Sequence, residues 1–291
     1  MTKMLAFIAA LLMTGVTVSS ACVANSPAPL RFTIEQSRDA DRLQISFKRA
    51  DDNYRSNSWS SSFRPAELAG LDVATFRAAA TRPIRFAIAR EAGRVDCAGN
   101  GGNSMAIGTC SLVPDRGFND FLASRGITRP TEEQTFGLTA VNARRELVTA
   151  LAAANYPTPS VNKLMELSAV GVTPSYITQL ARVGYRPASL QSLVEFGAMK
   201  ITPEFIGSFA RAGYSNLGPG DLVQLKALDI TPEYIAGFER LGYRDLPVGT
   251  LVQLKAMNVT PEFVKAVQQG DALPSPDRLV QIRAVSRDIR N

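Results

Sequence analysis

The chain has 291 residues, 45% hydrophobic and 20% charged, a size and balance that fit about two packed units and exclude a disordered chain. It contains no histidine, which excludes a Ser-His-Asp triad, a Cys-His pair and any His-ligated metal centre. The net charge of +6 is spread thinly, with 15 basic and 13 acidic groups in residues 25–143 and 13 and 11 in residues 173–291. No stripe is therefore clustered enough to neutralise a run of nucleic-acid phosphates.

Residues 1–24 begin with Lys3, run apolar from 5 to 16 and end in the small residues Ser19, Ser20, Ala21 and Ala24, the pattern of a secretory signal. The apolar run is well short of the ~20 residues a membrane-crossing helix needs. Cleavage after Ala21 would leave Cys22 at the new N-terminus and open it to lipidation. Ser19 stands three places before Cys22, where bacterial lipoprotein signals carry an aliphatic residue. A soluble periplasmic or secreted form is the expectation, and a lipid anchor on Cys22 is the alternative.

Residues 25–142 read as a strand-rich domain. Alternating or half-apolar runs at 30–36, 42–48, 58–64, 83–90, 94–97 and 105–113 predict six strands. Short helical stretches at 65–70 and 73–79 are expected to cover one face of the sheet. Asp115 caps a helix through Leu122 that stops at Gly126, and Thr131 with Gln134 forms a capping-box pattern that opens another.

Cys97 and Cys110 flank a Gly/Asn/Ser-rich centre that reads as a hairpin turn, so symmetric pairing places them opposite each other. In an exported protein the pair is expected to form a cross-strand disulfide. Two cysteines without histidine cannot supply the usual four ligands of a zinc site, and the chain suggests no cofactor. Trp59 and Phe63 are separated by an even number of residues and so share one side of a strand. Core packing is the expectation for Trp59, and a stacking platform for sugars or peptides is the alternative. The neighbouring carboxylates Asp51-Asp52 and Glu132-Glu133 read as a turn and a helix N-terminus, since catalytic pairs face each other across a cleft.

Residues 143–291 carry an internal repeat. Thr173-Pro-Ser-Tyr-Ile, Thr202-Pro-Glu-Phe-Ile, Thr231-Pro-Glu-Tyr-Ile and Thr260-Pro-Glu-Phe-Val recur every 29 residues. Gly184-Tyr185, Gly213-Tyr214 and Gly242-Tyr243 keep the same register, as do Leu193-Val194, Leu222-Val223 and Leu251-Val252. A degenerate unit precedes them at 144–172 and a shortened one follows, in which Leu279-Val280 repeats Leu251-Val252 after one deletion. Atypical terminal copies are what a capped stack requires.

Each unit spells out two helices. Thr is an N-cap, Pro at N1 lacks a donor that would go unpaired there, and Glu suits the positive helix end. The first helix stops at Gly184, Gly213 or Gly242, where a left-handed residue is needed. The second starts near Ser160, Ser189 or Gly218 and stops at Gly171, Lys200, Asp229 or Asn258. Nothing in the sequence explains a lysine at such a position. Helices of about ten residues are marginal alone, so the units are expected to stack into an α-solenoid of five helix pairs, giving an α+β chain.

Such stacks bind rather than catalyse. Arg182, Arg211 and Arg240 share one repeat position, and Lys226 and Lys255, with Gln224 and Gln253, share another. One reading is a strip that grips carboxylates of an acidic partner segment. The other is that an arginine two residues before a terminal glycine complements the negative helix end. The Tyr185, Tyr214 and Tyr243 series reads as helix-end packing.

With these motifs in view, the chain resembles a bacterial exported architecture, and its Thr-Pro-Glu-Phe units are similar to repeats appended to membrane peptidases of the BlaR1/M56 type. Those peptidases carry a His-Glu-x-x-His zinc motif and several membrane spans, which this chain lacks. The resemblance implies an accessory, sensing or interaction role outside the cytoplasm and no catalytic residues. The expectation is thus a non-catalytic protein-interaction scaffold or sensor-type binding protein of the bacterial envelope. The alternative is a cell-wall glycan-binding protein, or a carboxylate-dependent cell-wall enzyme, acting through the β domain near Trp59.

Overall fold

The structure, a computed structural model, describes residues 29–50, 56–268, 270 and 272–288. The expected signal with Cys22 and the Asp51-Asp52 pair lie outside these residues. The chain is α+β, an antiparallel sheet followed by helices.

Six strands, β1 (Leu30–Gln36), β2 (Leu43–Ala50), β3 (Ser56–Phe63), β4 (Arg82–Arg90), β5 (Gly93–Gly102) and β6 (Met105–Pro114), form one sheet in the order β3-β2-β1-β6-β5-β4. Period-2 alternation sends Leu30, Phe32 and Ile34 of β1 to one face, and the register sets Phe32 opposite Phe47 and Ile34 opposite Ile45. Phe63, Ile84, Phe86, Ile88 and Val95 belong to the same buried cluster. Each such side chain contributes about 1.5–3 kcal/mol on full burial. Trp59 is half-buried within this cluster, 5.6 Å from the Phe47 ring and 6.0 Å from that of Phe63, which is the core placement its spacing predicts.

The second hairpin departs from its reading. The apolar pattern ends at Cys97, yet β5 runs on to Gly102 and turns through Asn103 and Ser104, both at positive φ. The glycines that hide the strand are needed for its close approach to β6. A Cβ on Gly99 would stand 2.0 Å from the Ile107 carbonyl oxygen, and one on Gly108 would stand 2.2 Å from that of Ala98. Two pairs further along, Cys97 faces Cys110 with Cα atoms 4.1 Å apart, and the sulfurs are at disulfide distance.

The stretch 65–70 holds only a 3-10 turn, Pro65–Glu67. Helix α1 (Val73–Arg77), capped by Asp72, packs on β4, β5 and β6 and buries Phe76.

Twelve more helices are described: α2 (Arg116–Ser124), α3 (Glu132–Ala140), α4 (Arg145–Ala153), α5 (Val161–Ala169), α6 (Pro174–Arg182), α7 (Leu190–Ala198), α8 (Pro203–Arg211), α9 (Pro219–Ala227), α10 (Pro232–Glu239), α11 (Val248–Ala256), α12 (Pro261–Val267) and α13 (Pro276–Asp288). The even-numbered helices from α2 to α12 begin at a constant step of 29 residues. Helix α2 packs on α4, α4 on α6 and α6 on α8, while α3 packs on α5, α5 on α7, α7 on α9, α9 on α11 and α11 on α13. Helices α2 and α3, read from the sequence as part of the 25–142 segment, stand in step with those that follow.

Helix α3 joins the two halves, contacting β4, β5 and β6 as well as α5. Its Phe136 ring lies 5.4 Å from Phe47 and 6.2 Å from Trp59. Its buried Thr135 and Thr139 hydroxyls donate to carbonyls one turn back, at Thr131 and Thr135, so neither is left unpaired. Glu132 lies in the first turn of α3, the placement its sequence context predicts, and pairs with Arg49 of β2 at 3.0 Å. Beside this joint Arg145 reaches Glu91 at 3.3 Å and Asp115 at 3.2 Å, clamping a strand turn, the α2 cap and the start of α4.

Candidate binding surface

The helix ends decide where the repeated side chains go. Threonine hydroxyls of Thr173, Thr202, Thr231 and Thr260 accept the N–H three residues on, as N-caps do. At the other end Gly184 and Gly213, two residues past α6 and α8, and Gly242, three past α10, have positive φ, and the next N–H bonds back to a carbonyl in the last turn. The same closure ends α7 at Lys200 (φ 52), α9 at Asp229 and α11 at Asn258. The apolar residue after each is drawn inward, with Ile201, Ile230 and Val259 at most 1% exposed.

Arg182 and Arg211 occupy the last turns of α6 and α8, and Arg240 is the C-cap of α10. All three are exposed, and none forms an ion pair among the described residues. Their common position two residues before the closing glycine puts them at the negative helix ends and leaves the guanidinium groups open to solvent.

The lysine series is placed differently. The Lys226 ammonium lies 5.1 Å over the Phe205 ring and that of Lys255 lies 4.9 Å over Tyr234. Arg283 of α13, the counterpart of Lys255 once the deletion is counted, lies 4.8 Å over Phe263. These cations seal the seam between the two helices of a pair. Gln224 and Gln253, two residues before the lysines, are exposed.

The tyrosines bridge units. Tyr156, Tyr214 and Tyr243 donate to the carbonyls of Pro187, Leu246 and Pro274, at 2.9, 2.8 and 2.6 Å. Tyr176 and Tyr234, in the first turns of α6 and α10, donate to Ile201 and Val259. Burial pushes the Tyr176 hydroxyl up to about 12 and raises that of Tyr234 as well. Tyr185 differs, its ring stacking on Phe196 at 5.7 Å. Arg186, which the repeat pattern does not single out, lies 4.5 Å over the Tyr156 ring and donates to the Ala154 and Asn155 carbonyls at the end of α4.

Exposed backbone-bonded carboxylates line the opposite helix ends. The Glu233 and Glu262 carboxyls are held below their usual range by backbone hydrogen bonds and by Thr231 and Thr260, and Glu262 also by the nearby charges of Lys265 and Arg240. No group of three or more Cys, Asp or Glu among the described residues could hold a metal ion, and no described helix is long and apolar enough to cross a membrane. Comparison of the chain with family models, with curated proteins and with solved structures finds no match.

Proposed function

We propose that this chain is an exported, non-catalytic interaction scaffold whose helices form an α-solenoid of 29-residue pairs with the sheet seated on its first pair. The stack runs from α2 to α13, six pairs, and presents the edge carrying Arg182, Arg211 and Arg240 to an acidic segment of a partner in the bacterial envelope. The observation that carries this reading is that three guanidinium groups at equivalent positions are exposed and form no direct ion pair among the described residues, Arg240 acting on Glu262 only at longer range, while the other repeated cations, Lys226 and Lys255, are taken up by aromatic rings. Packed helices stand ~8–10 Å apart, a spacing an extended acidic segment can follow with successive carboxylates, and a guanidinium meets each through two parallel bonds. The likeness of the repeats to those appended to membrane peptidases fits a sensing or accessory role. Export is expected to remove residues 1–24 and leave a soluble periplasmic or secreted protein, with a Cys22 lipid anchor as the other outcome; mass spectrometry of the mature N-terminus separates them.

The test replaces Arg182, Arg211 and Arg240 together by Glu and measures retention of an envelope partner by affinity capture, with circular dichroism as control. Loss of the partner with helicity intact supports the scaffold. Equal retention by both proteins assigns the arginines to helix ends alone and removes the reading.

A further inference from the structure

The sheet carries a second charged surface, unrelated to the arginine edge. Its core face is closed by α1 and α3, and the other face is largely open, covered at Ala87 of β4 (2% exposed), whose backbone pairs with Ala69. Met105, Ile107 and Val113 of β6, an interior strand, are 50%, 60% and 53% exposed there. Across this face the register aligns Lys48 with Arg31, Arg31 with Thr109, Thr109 with Ala98, and Ala98 with Arg85, one residue from each of five adjacent strands. All five side chains are exposed.

Lys48, Arg31 and Arg85 have no ion-pair partner among the described residues, and Lys48 stands directly opposite Arg31. Like charges so placed weaken a sheet, and no ion pair among the described residues offsets them. Between Arg31 and Arg85 the side chains are small, and a cleft of about 560 Å³ opens over Ala98, Thr109 and Ser111, walled by Arg85 and Arg94. Arg94 is already paired with Asp96 at 2.6 Å, which leaves Arg85 as the free cation of the cleft. With strands ~4.8 Å apart, Arg85 and Arg31 are separated by about 14 Å and Lys48 stands about 5 Å beyond.

We propose that this row binds an acidic polysaccharide laid across the strands, its carboxylates meeting Arg85 at one end and Arg31 with Lys48 at the other. The chemistry of the face selects that ligand class. An acidic peptide crossing interior strands finds their main-chain groups already used in the ladders, so it gains none of the backbone bonding that strand addition at an edge supplies. A neutral sugar finds no aromatic platform among the described residues of this face, because Trp59 packs toward the core. Sugar hydroxyls instead meet Thr33, Ser46, Ser60, Thr109 and Asn100, all on this face, while guanidinium groups take the carboxylates.

The experiment titrates the full chain, calorimetrically and at low salt, with oligogalacturonate and with oligoglutamate of equal charge. The expected result is oligogalacturonate binding that weakens as salt rises and falls at least tenfold in affinity in the Arg31→Gln/Arg85→Gln variant. Both residues are exposed, and an unchanged dichroism spectrum and melting temperature check the fold. Equal binding by wild type and the double variant, or no binding by either, overturns the proposal. Tighter binding of oligoglutamate that is lost in the Arg31→Gln/Arg85→Gln variant also overturns it and makes the face a protein contact.

Discussion

The hydroxyl of Tyr156 donates to the carbonyl of Pro187, 31 residues further along the chain. Tyr214 and Leu246 repeat the contact across 32 residues and Tyr243 and Pro274 across 31. Each tyrosine follows the residue that closes a helix, so the helix-ending motif also ties one pair of helices to the next. Replacing Tyr156 or Tyr214 by Phe keeps the ring and removes the bond, and each change should lower stability by about 0.5–1.5 kcal/mol. Urea denaturation checks this, and an unchanged midpoint would show that the carbonyls gain nothing from the hydroxyls.

Tyr176 should titrate late. Its hydroxyl is pushed up to about 12, chiefly by burial, while in the unfolded chain it titrates near 10. A folded pKa above the unfolded one means that the folded state holds the proton more tightly. The stability from this group is therefore complete below pH ~10 and is lost as pH rises toward 12. Absorbance of tyrosinate at 295 nm should show a late component that shrinks in Tyr176→Phe, the remainder belonging to Tyr234.

Lys200 holds a left-handed conformation, φ 52, at a position where other units place Gly171 or Asn258. A side chain there costs about 1–2 kcal/mol, partly offset by the greater freedom of glycine in the unfolded chain. Lys200→Gly should raise stability by roughly 0.5–1 kcal/mol, measured by thermal or urea unfolding. Nothing in the structure explains why a lysine stands there.

Lys226 and Lys255 should behave as packing residues. Lys255→Gln removes the cation over Tyr234 and should lower stability by about 0.5–1 kcal/mol while leaving partner capture unchanged. The opposite result, full stability with lost capture, would move these lysines onto the binding edge.

The Cys97–Cys110 bond closes a loop with a sequence separation of 13. Removing it by Cys97→Ser with Cys110→Ser should lower stability by about 2–3 kcal/mol. A thiol assay on denatured, unreduced protein should find neither position reactive.

Most of the helical half is legible in the sequence because its signals are local. Thr202-Pro203 opens a helix and Gly213 closes it through bonds that span only a few residues, so a repeat of those letters is a repeat of those helices. Helix α2 is in the same step but opens on Asp115 without Thr-Pro, so neither it nor α3, its second helix, capped by Thr131, declares itself as part of the series. Strand β5 is half hidden for a different reason. Its Gly99 and Gly101 carry no hydrophobic pattern, and what demands them is the nearness of β6, a property of the pair.

The order of the letters alone determined the helix ends, the pairing of Cys97 with Cys110 and the inward turn of Trp59, since each follows from capping, symmetry about a turn or period-2 alternation. Tertiary packing decided which repeated cations remain free. Lys226 and Arg211 are equally regular in the sequence, but a ring on the neighbouring helix captures the first and solvent surrounds the second. Tertiary packing also decided that Lys48, Arg31 and Arg85 share one row, because residues far apart in the chain become neighbours only when the strand register is set.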